Sequence, residues 1–224
     1  MISISGIETL RWISTIVSIS VKFMLAIYFL NRYSKKRAGI PLAWGTGFFF
    51  FGLSQIPILA MRYFEDAATD MYFALMGAFL AALSLALLYY GTSLLFFTTG
   101  SFMQKKLSII FFVVMAIIIL AFPLLTTAEN VLKSIFMVVA TGFIFPIMLI
   151  MAFLFFIIWH KLDPINPRRV NVFLVAVAWL IYSLVNGIGS FFFVTAFDVL
   201  FYLLSIISFL ILLYGMTLGK ATGH

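Results

Sequence analysis

Apolar residues run through this chain in blocks too long for an ordinary water-soluble helix, separated by short polar interruptions. Seven blocks, at 10–31, 40–61, 71–97, 107–126, 132–159, 170–194 and 197–219, reach the roughly 20 residues a helix needs to cross a hydrocarbon core of about 30 Å. The period-two alternation of a membrane barrel is missing, and lipid offers backbone groups no outside hydrogen-bond partner, so each block predicts a helix. The expected fold is all-α: a polytopic seven-transmembrane-helix bundle forming one membrane domain over 1–224. Short loops should set each helix beside its sequence neighbour and antiparallel to it.

Composition leads to the same class. Hydrophobic residues make up 65% of the chain and charged residues 9%, against about 45–50% and about 25% in soluble domains. A water-facing surface cannot be assembled from that inventory. The net charge of +7 does not point to nucleic acid, because the basic residues sit in short loops rather than on one folded face. They are also unevenly distributed between alternate loops. Arg32, Lys35, Lys36, Arg37, Lys105, Lys106, Lys161, Arg168, Arg169 and Lys220 fall on one side with Asp163. Only Arg11, Arg62 and Lys133 fall on the other, with Glu8, Glu65, Asp66, Asp70, Glu129 and Asp198. By the positive-inside rule the N-terminus is expected outside and the C-terminus in the cytoplasm, in a cell (plasma) membrane. The first span begins with Glu8 and Arg11 rather than a basic segment, and no small-residue cleavage site follows it, so a retained helix is expected rather than a signal peptide. The chain has no cysteine, which excludes disulfides, thiolate metal sites and cysteine nucleophiles.

One pattern occurs twice. "LSLALLYYGTSLLF" at 83–96 is answered by "ISFLILLYGMTLGK" at 207–220, a shared Ser-x5-Tyr-Gly-x-[Ser/Thr]-Leu. Both copies fall on spans running from outside to inside, and the span before each carries one carboxamide, Gln55 or Asn186. A parallel 3+1+3 repeat follows as the expectation, with three-helix units over 10–97 and 132–219 joined by a linker helix at 107–126. An odd-numbered unit keeps its orientation on duplication only if such an extra helix intervenes, as in some transporters. The simplest use of Gly91, Gly215 and their neighbouring hydroxyls is helix packing.

Lys22 stands near the centre of the first span, in "ISVKFML". A basic side chain there costs at least about 2.5–3.5 kcal/mol on insertion scales, so something must compensate for it. It could snorkel, deprotonate, face a water-filled cavity, or bind helix carbonyls together with Gln55, Asn186 or Tyr182. The candidate ligand site is a polar midpoint made of Lys22, Gln55, Ser84, Tyr182, Asn186 and Ser208, enclosed by the two three-helix units. The two histidines, His160 and His224, lie at the cytoplasmic edge and tail, so no haem, metal or other cofactor is expected. No phosphate-binding loop or marked nucleophile–base pair is found, and an enzyme is not expected.

"WLIY" at 179–182 looks like the sixth-helix aromatic pattern of microbial rhodopsins, but no lysine lies between Asp198 and Gly219 to carry retinal in their arrangement. The 3+1+3 plan resembles that of small sugar transporters of the SWEET type, whose Pro-Gln signature is not found here. The expected function is that of a small-solute transporter or permease. The alternative is a membrane-embedded sensor or a non-catalytic subunit of a larger complex. Expected partners are the lipid bilayer, a small-molecule ligand, and a second copy or another membrane subunit.

Overall fold

The computed structural model describes residues 4–60, 67–125, 134–135, 137–189, 191 and 198–217. Among the described residues the regular structure is helical and no strand occurs. The helices are α1 (Ile4–Lys36), α2 (Gly39–Leu53), α3 (Gln55–Ala60), α4 (Ala67–Phe96), α5 (Lys105–Leu125), α6 (Phe145–Lys161), α7 (Arg168–Gly189) and α8 (Asp198–Thr217). Six helical stretches are long and apolar enough to cross a membrane. With the composition, they make this an integral membrane protein.

The second expected span, 40–61, is not one continuous helix. It is α2 and α3 with a break at Ser54. Pro57 explains the break: it has no N–H to bond the carbonyl of Leu53 four residues earlier, and its ring crowds that carbonyl. The disruption is confined to one residue, since the Ser54 N–H still donates to the Phe50 carbonyl at 2.9 Å and its Oγ donates to the Phe51 carbonyl at 2.8 Å. Pro146 acts similarly on the fifth expected span, where a π turn over Ala140–Ile144 precedes α6. Proline withdraws the donor for the Gly142 carbonyl, and the ladder adjusts through a wider turn. The outer-loop charges Arg62, Glu65, Asp66, Glu129 and Lys133, and Lys220 and His224 at the C-terminus, lie outside the described residues, as do the side chains of Glu8, Arg11 and Asp198.

Two compact units divide the chain. The first is Lys22–Phe143; the second joins Met1–Val21 to Ile144–His224. In the first unit α1, α2 and α4 meet along narrow seams. Leu30 of α1 lies over Gly45 and Phe23 over Gly52, while Phe29 sits edge-on to Trp44 at 5.2 Å. On the other side of α2, a Cβ added at Gly47 would come within 2.9 Å of Leu88, and one at Gly91 would fall on the Trp44 indole. Small residues here let backbones approach closely, which in lipid supplies the dispersion contacts that hold helices together. α5 is fastened to α4 by Ser108, whose Oγ donates to the Ala86 carbonyl at 2.6 Å, and by the Phe111 ring against Tyr89 at 5.1 Å. The turn before α5 is tied down by Tyr89 Oη donating to the Met103 carbonyl at 2.9 Å and by Gln104 Nε2 donating to the Phe97 carbonyl at 2.5 Å.

The second unit has the same kind of seam. Phe145 of α6 lies over Gly187 of α7, and its carbonyl accepts from Ser183 Oγ at 2.8 Å. Gly215 of α8 faces Asn171, Leu174 and Val175, Gly189 faces Phe201, and Tyr182 meets Phe209 with ring centroids 4.7 Å apart.

Candidate functional site

Helical phase brings Lys22, Phe51 and Ser84 to one level of the first unit. On α2, Trp44, Gly47 and Phe51 follow at i, i+3 and i+7 and share a face. On α4, Ser84, Leu88 and Gly91 follow at i, i+4 and i+7. Trp44 meets Gly91 and Gly47 meets Leu88, so in this antiparallel pair Phe51 falls opposite Ser84. Lys22 reaches the same level from α1, with its Nζ 4.1 Å from the centroid of the Phe51 ring. Gln55 is one turn beyond Phe51 on the same face, just after the break at Ser54.

Lys22 is 0% exposed, so its amine does not snorkel to the surface of the chain. A desolvated cation over an aromatic face gains about 2 kcal/mol, enough to offset most of the insertion cost of a mid-span lysine. Ser84 is also 0% exposed, and its Oγ makes no hydrogen bond. The Gln55 Oε1 is buried and likewise makes none. The hydroxyls of Ser18 and Tyr28 share that state, and others do not. Ser54, Thr92, Ser93 and Ser208 each donate to a carbonyl of their own helix, at 2.7 to 2.9 Å.

The six expected residues fall three to a unit. Lys22, Gln55 and Ser84 belong to the first; Tyr182, Asn186 and Ser208 belong to the second. In the second unit, Tyr182 contacts Phe209, next to Ser208, and Asn186 Nδ2 donates to the Tyr182 carbonyl at 2.8 Å. Ser208 is buried and donates to the Ser205 carbonyl at 2.7 Å, so it is satisfied within α8. Phe51 was missing from the sequence-derived set. It is one of four consecutive phenylalanines, 48–51, and only the helical phase set by Trp44 and Gly47 distinguishes it. The tyrosines of the repeated motif stand off the seam: Tyr90 is half-buried and Tyr214 is 53% exposed.

No group of three or more His, Cys, Asp or Glu side chains that could hold a metal occurs among the described residues. Compared with protein-family models, curated proteins and solved structures, the chain matches none.

Proposed function

We propose that this protein is a small-solute permease of the plasma membrane, built from two parallel three-helix repeats over 10–97 and 132–219 with 107–126 as the linker. In this reading the N-terminus is outside and the C-terminus cytoplasmic. Support for the repeat comes from register. If Lys22 is matched with Ile144, Phe51 with Tyr182, Gln55 with Asn186 and Ser84 with Ser208, the contacts of one unit carry over to the other. Phe23 over Gly52 becomes Phe145 beside Ser183, and Gly91 against Trp44 becomes Gly215 against Val175. Burial follows the same mapping. Lys22, Leu25, Ala26 and Phe29 are buried on α1, as are Ile144, Ile147, Met148 and Met151 at the start of and along α6. Trp44, Gly45, Gly47, Phe48, Phe51 and Gly52 are buried on α2, as are Val175, Ala176, Ala178, Trp179, Tyr182 and Ser183 on α7. The chain passes between its two units at Val21–Lys22 and at Phe143–Ile144, which are matching positions.

The observation that carries the permease reading is the fully buried Lys22 near the middle of a span, at the level of the buried Ser84 hydroxyl and one turn from the buried Gln55 Oε1. Ionisable residues within a span mark solute and ion pathways by default. The test is uptake into proteoliposomes of a panel of small anionic, neutral and cationic solutes. Saturable uptake of any one above protein-free vesicles, reduced in Lys22→Met, supports the reading; no uptake of any of them removes it.

A second reading, a subunit or sensor working through helix contacts, draws on α5. It is the least buried of the six long apolar stretches, with Ile117, Leu120 and Leu124 at 61%, 67% and 86% exposure. Intact-complex mass spectrometry of material taken from native membrane distinguishes the two: a stoichiometric partner favours the subunit.

A further inference from the structure

We infer that the layer formed by Lys22, Gln55 and Ser84 binds a small carboxylate that also carries a hydroxyl or amino donor. This names the solute class for the permease reading and rests on that reading. The three groups come from three different helices: Lys22 Nζ lies over the Phe51 ring, the register of α2 and α4 sets Ser84 opposite Phe51, and Gln55 follows Phe51 by one turn. Their chemistry is complementary to one kind of molecule. An ammonium and a hydroxyl present donors to an anion, and a carboxylate has the lone pairs to accept from both. The Gln55 Oε1 is an acceptor and calls for a donor on the ligand. It lies one helical turn, about 5.4 Å, along α2 from Phe51, a separation that suits a two- or three-carbon hydroxy or amino acid. The aromatic ring supplies an apolar floor for the short carbon chain. An anion with no donor leaves Gln55 unsatisfied, a neutral polyol brings no charge to Lys22, and a cation is repelled.

Ser84 is the second, independent pointer. Its hydroxyl is fully buried and bonds to no carbonyl of its own helix, whereas Ser208, the residue matched to it, does. The second unit is thus an internal control. It has Ile144 in place of Lys22, and its carboxamide and hydroxyl already bond backbone carbonyls.

The experiment is isothermal titration calorimetry on the full chain in lipid nanodiscs. Lactate and alanine serve as probes, with propionate, glycerol and choline as comparators. Saturable binding of lactate or alanine is the expected result, at least about tenfold tighter than glycerol or choline, which lack the carboxylate for a charge-assisted hydrogen bond, and about threefold to tenfold tighter than propionate, which lacks only the donor to Gln55. Lys22→Met should weaken it by about tenfold or more and Ser84→Ala by about threefold to tenfold. Ser93→Ala, which removes a hydroxyl bonded to the Tyr90 carbonyl of its own helix, should leave it unchanged. If Lys22→Met fails to fold by size exclusion and circular dichroism, Ser84→Ala and Gln55→Leu decide. No saturable binding of either probe by folded protein overturns the proposal, as does equal binding in the Ser84→Ala and Gln55→Leu variants. Binding without proteoliposome uptake removes the permease reading and leaves the site standing. Uptake that Lys22→Met does not alter removes the site and leaves the permease.

Discussion

Gly91→Ala places one methyl group where the fold has no room for it. The added Cβ falls on the Trp44 indole and comes within 3.2 Å of the Ala43 Cβ. Trp44 is 5% exposed and held edge-on by Phe29, so it cannot swing aside. Overpacking of this kind costs about 1–3 kcal/mol. Alanine recovers up to about 1 kcal/mol of helix propensity relative to glycine, leaving a net loss of about 1–2 kcal/mol. Two other glycines calibrate the measurement. At Gly215 the new Cβ meets the Asn171 carbonyl at 3.1 Å and Val175 at 3.2 Å, a tight fit that small shifts relieve, so the expected change there is within about 1 kcal/mol. At Gly142 nothing lies within 4 Å and a gain of up to about 1 kcal/mol is expected. The assay is reversible unfolding in mixed micelles by SDS titration, followed by tryptophan fluorescence. A Gly91→Ala protein as stable as the Gly142→Ala protein would refute the seam between α2 and α4, and with it the placement of Ser84 opposite Phe51.

Three further outcomes are expected. Lys22→Met should fold and be as stable as the parent or more stable by up to about 1–2 kcal/mol in the same titration, because the insertion cost of the amine exceeds the cation–π contact it loses; a loss of more than about 2 kcal/mol would show a structural ion-pair or hydrogen-bond role instead. Ser208→Ala should cost no more than about 1 kcal/mol, since its hydroxyl donates to the Ser205 carbonyl of its own helix, and a larger loss would place that hydroxyl in an interhelical contact. Cysteines introduced near Glu65 and Glu129 should react with an impermeant reagent from outside, and a reporter fused after His224 should be cytoplasmic; labelling only after permeabilisation would reverse the orientation.

Much of the fold was readable in the sequence because span length and hydropathy are properties of composition alone. The break at Ser54 was less so. Pro57 stands in plain view in "GLSQIPIL", but a proline in a transmembrane helix is often accommodated, and only the surrounding packing decides whether the ladder parts. The π turn before Pro146 was missed for the same reason. Lys22 and Ser84 were singled out separately, one as a charge out of place and the other as part of a repeat. That they share a level depends on helix phase, which sequence periodicity left undefined because these helices are apolar on nearly every face. Phe51 shows this most clearly: its neighbours in sequence are also phenylalanines, and only packing distinguishes it. In the repeated motif, Ser and Gly form the seam and Tyr does not. A residue shared between two copies of a sequence motif therefore need not lie on the seam.

The measurement closest to the central claim is paired-cysteine cross-linking, which the natural absence of cysteine makes clean. Phe51→Cys with Ser84→Cys, and separately Tyr182→Cys with Ser208→Cys, should each be joined by a short bifunctional thiol reagent in native-like membranes. Phe51→Cys with Gly91→Cys, about two turns out of register, should not. Cross-linking of both in-register pairs supports two equivalent seams with the polar layer in the first. Joining of the out-of-register pair alone, or of neither in-register pair, would contradict it.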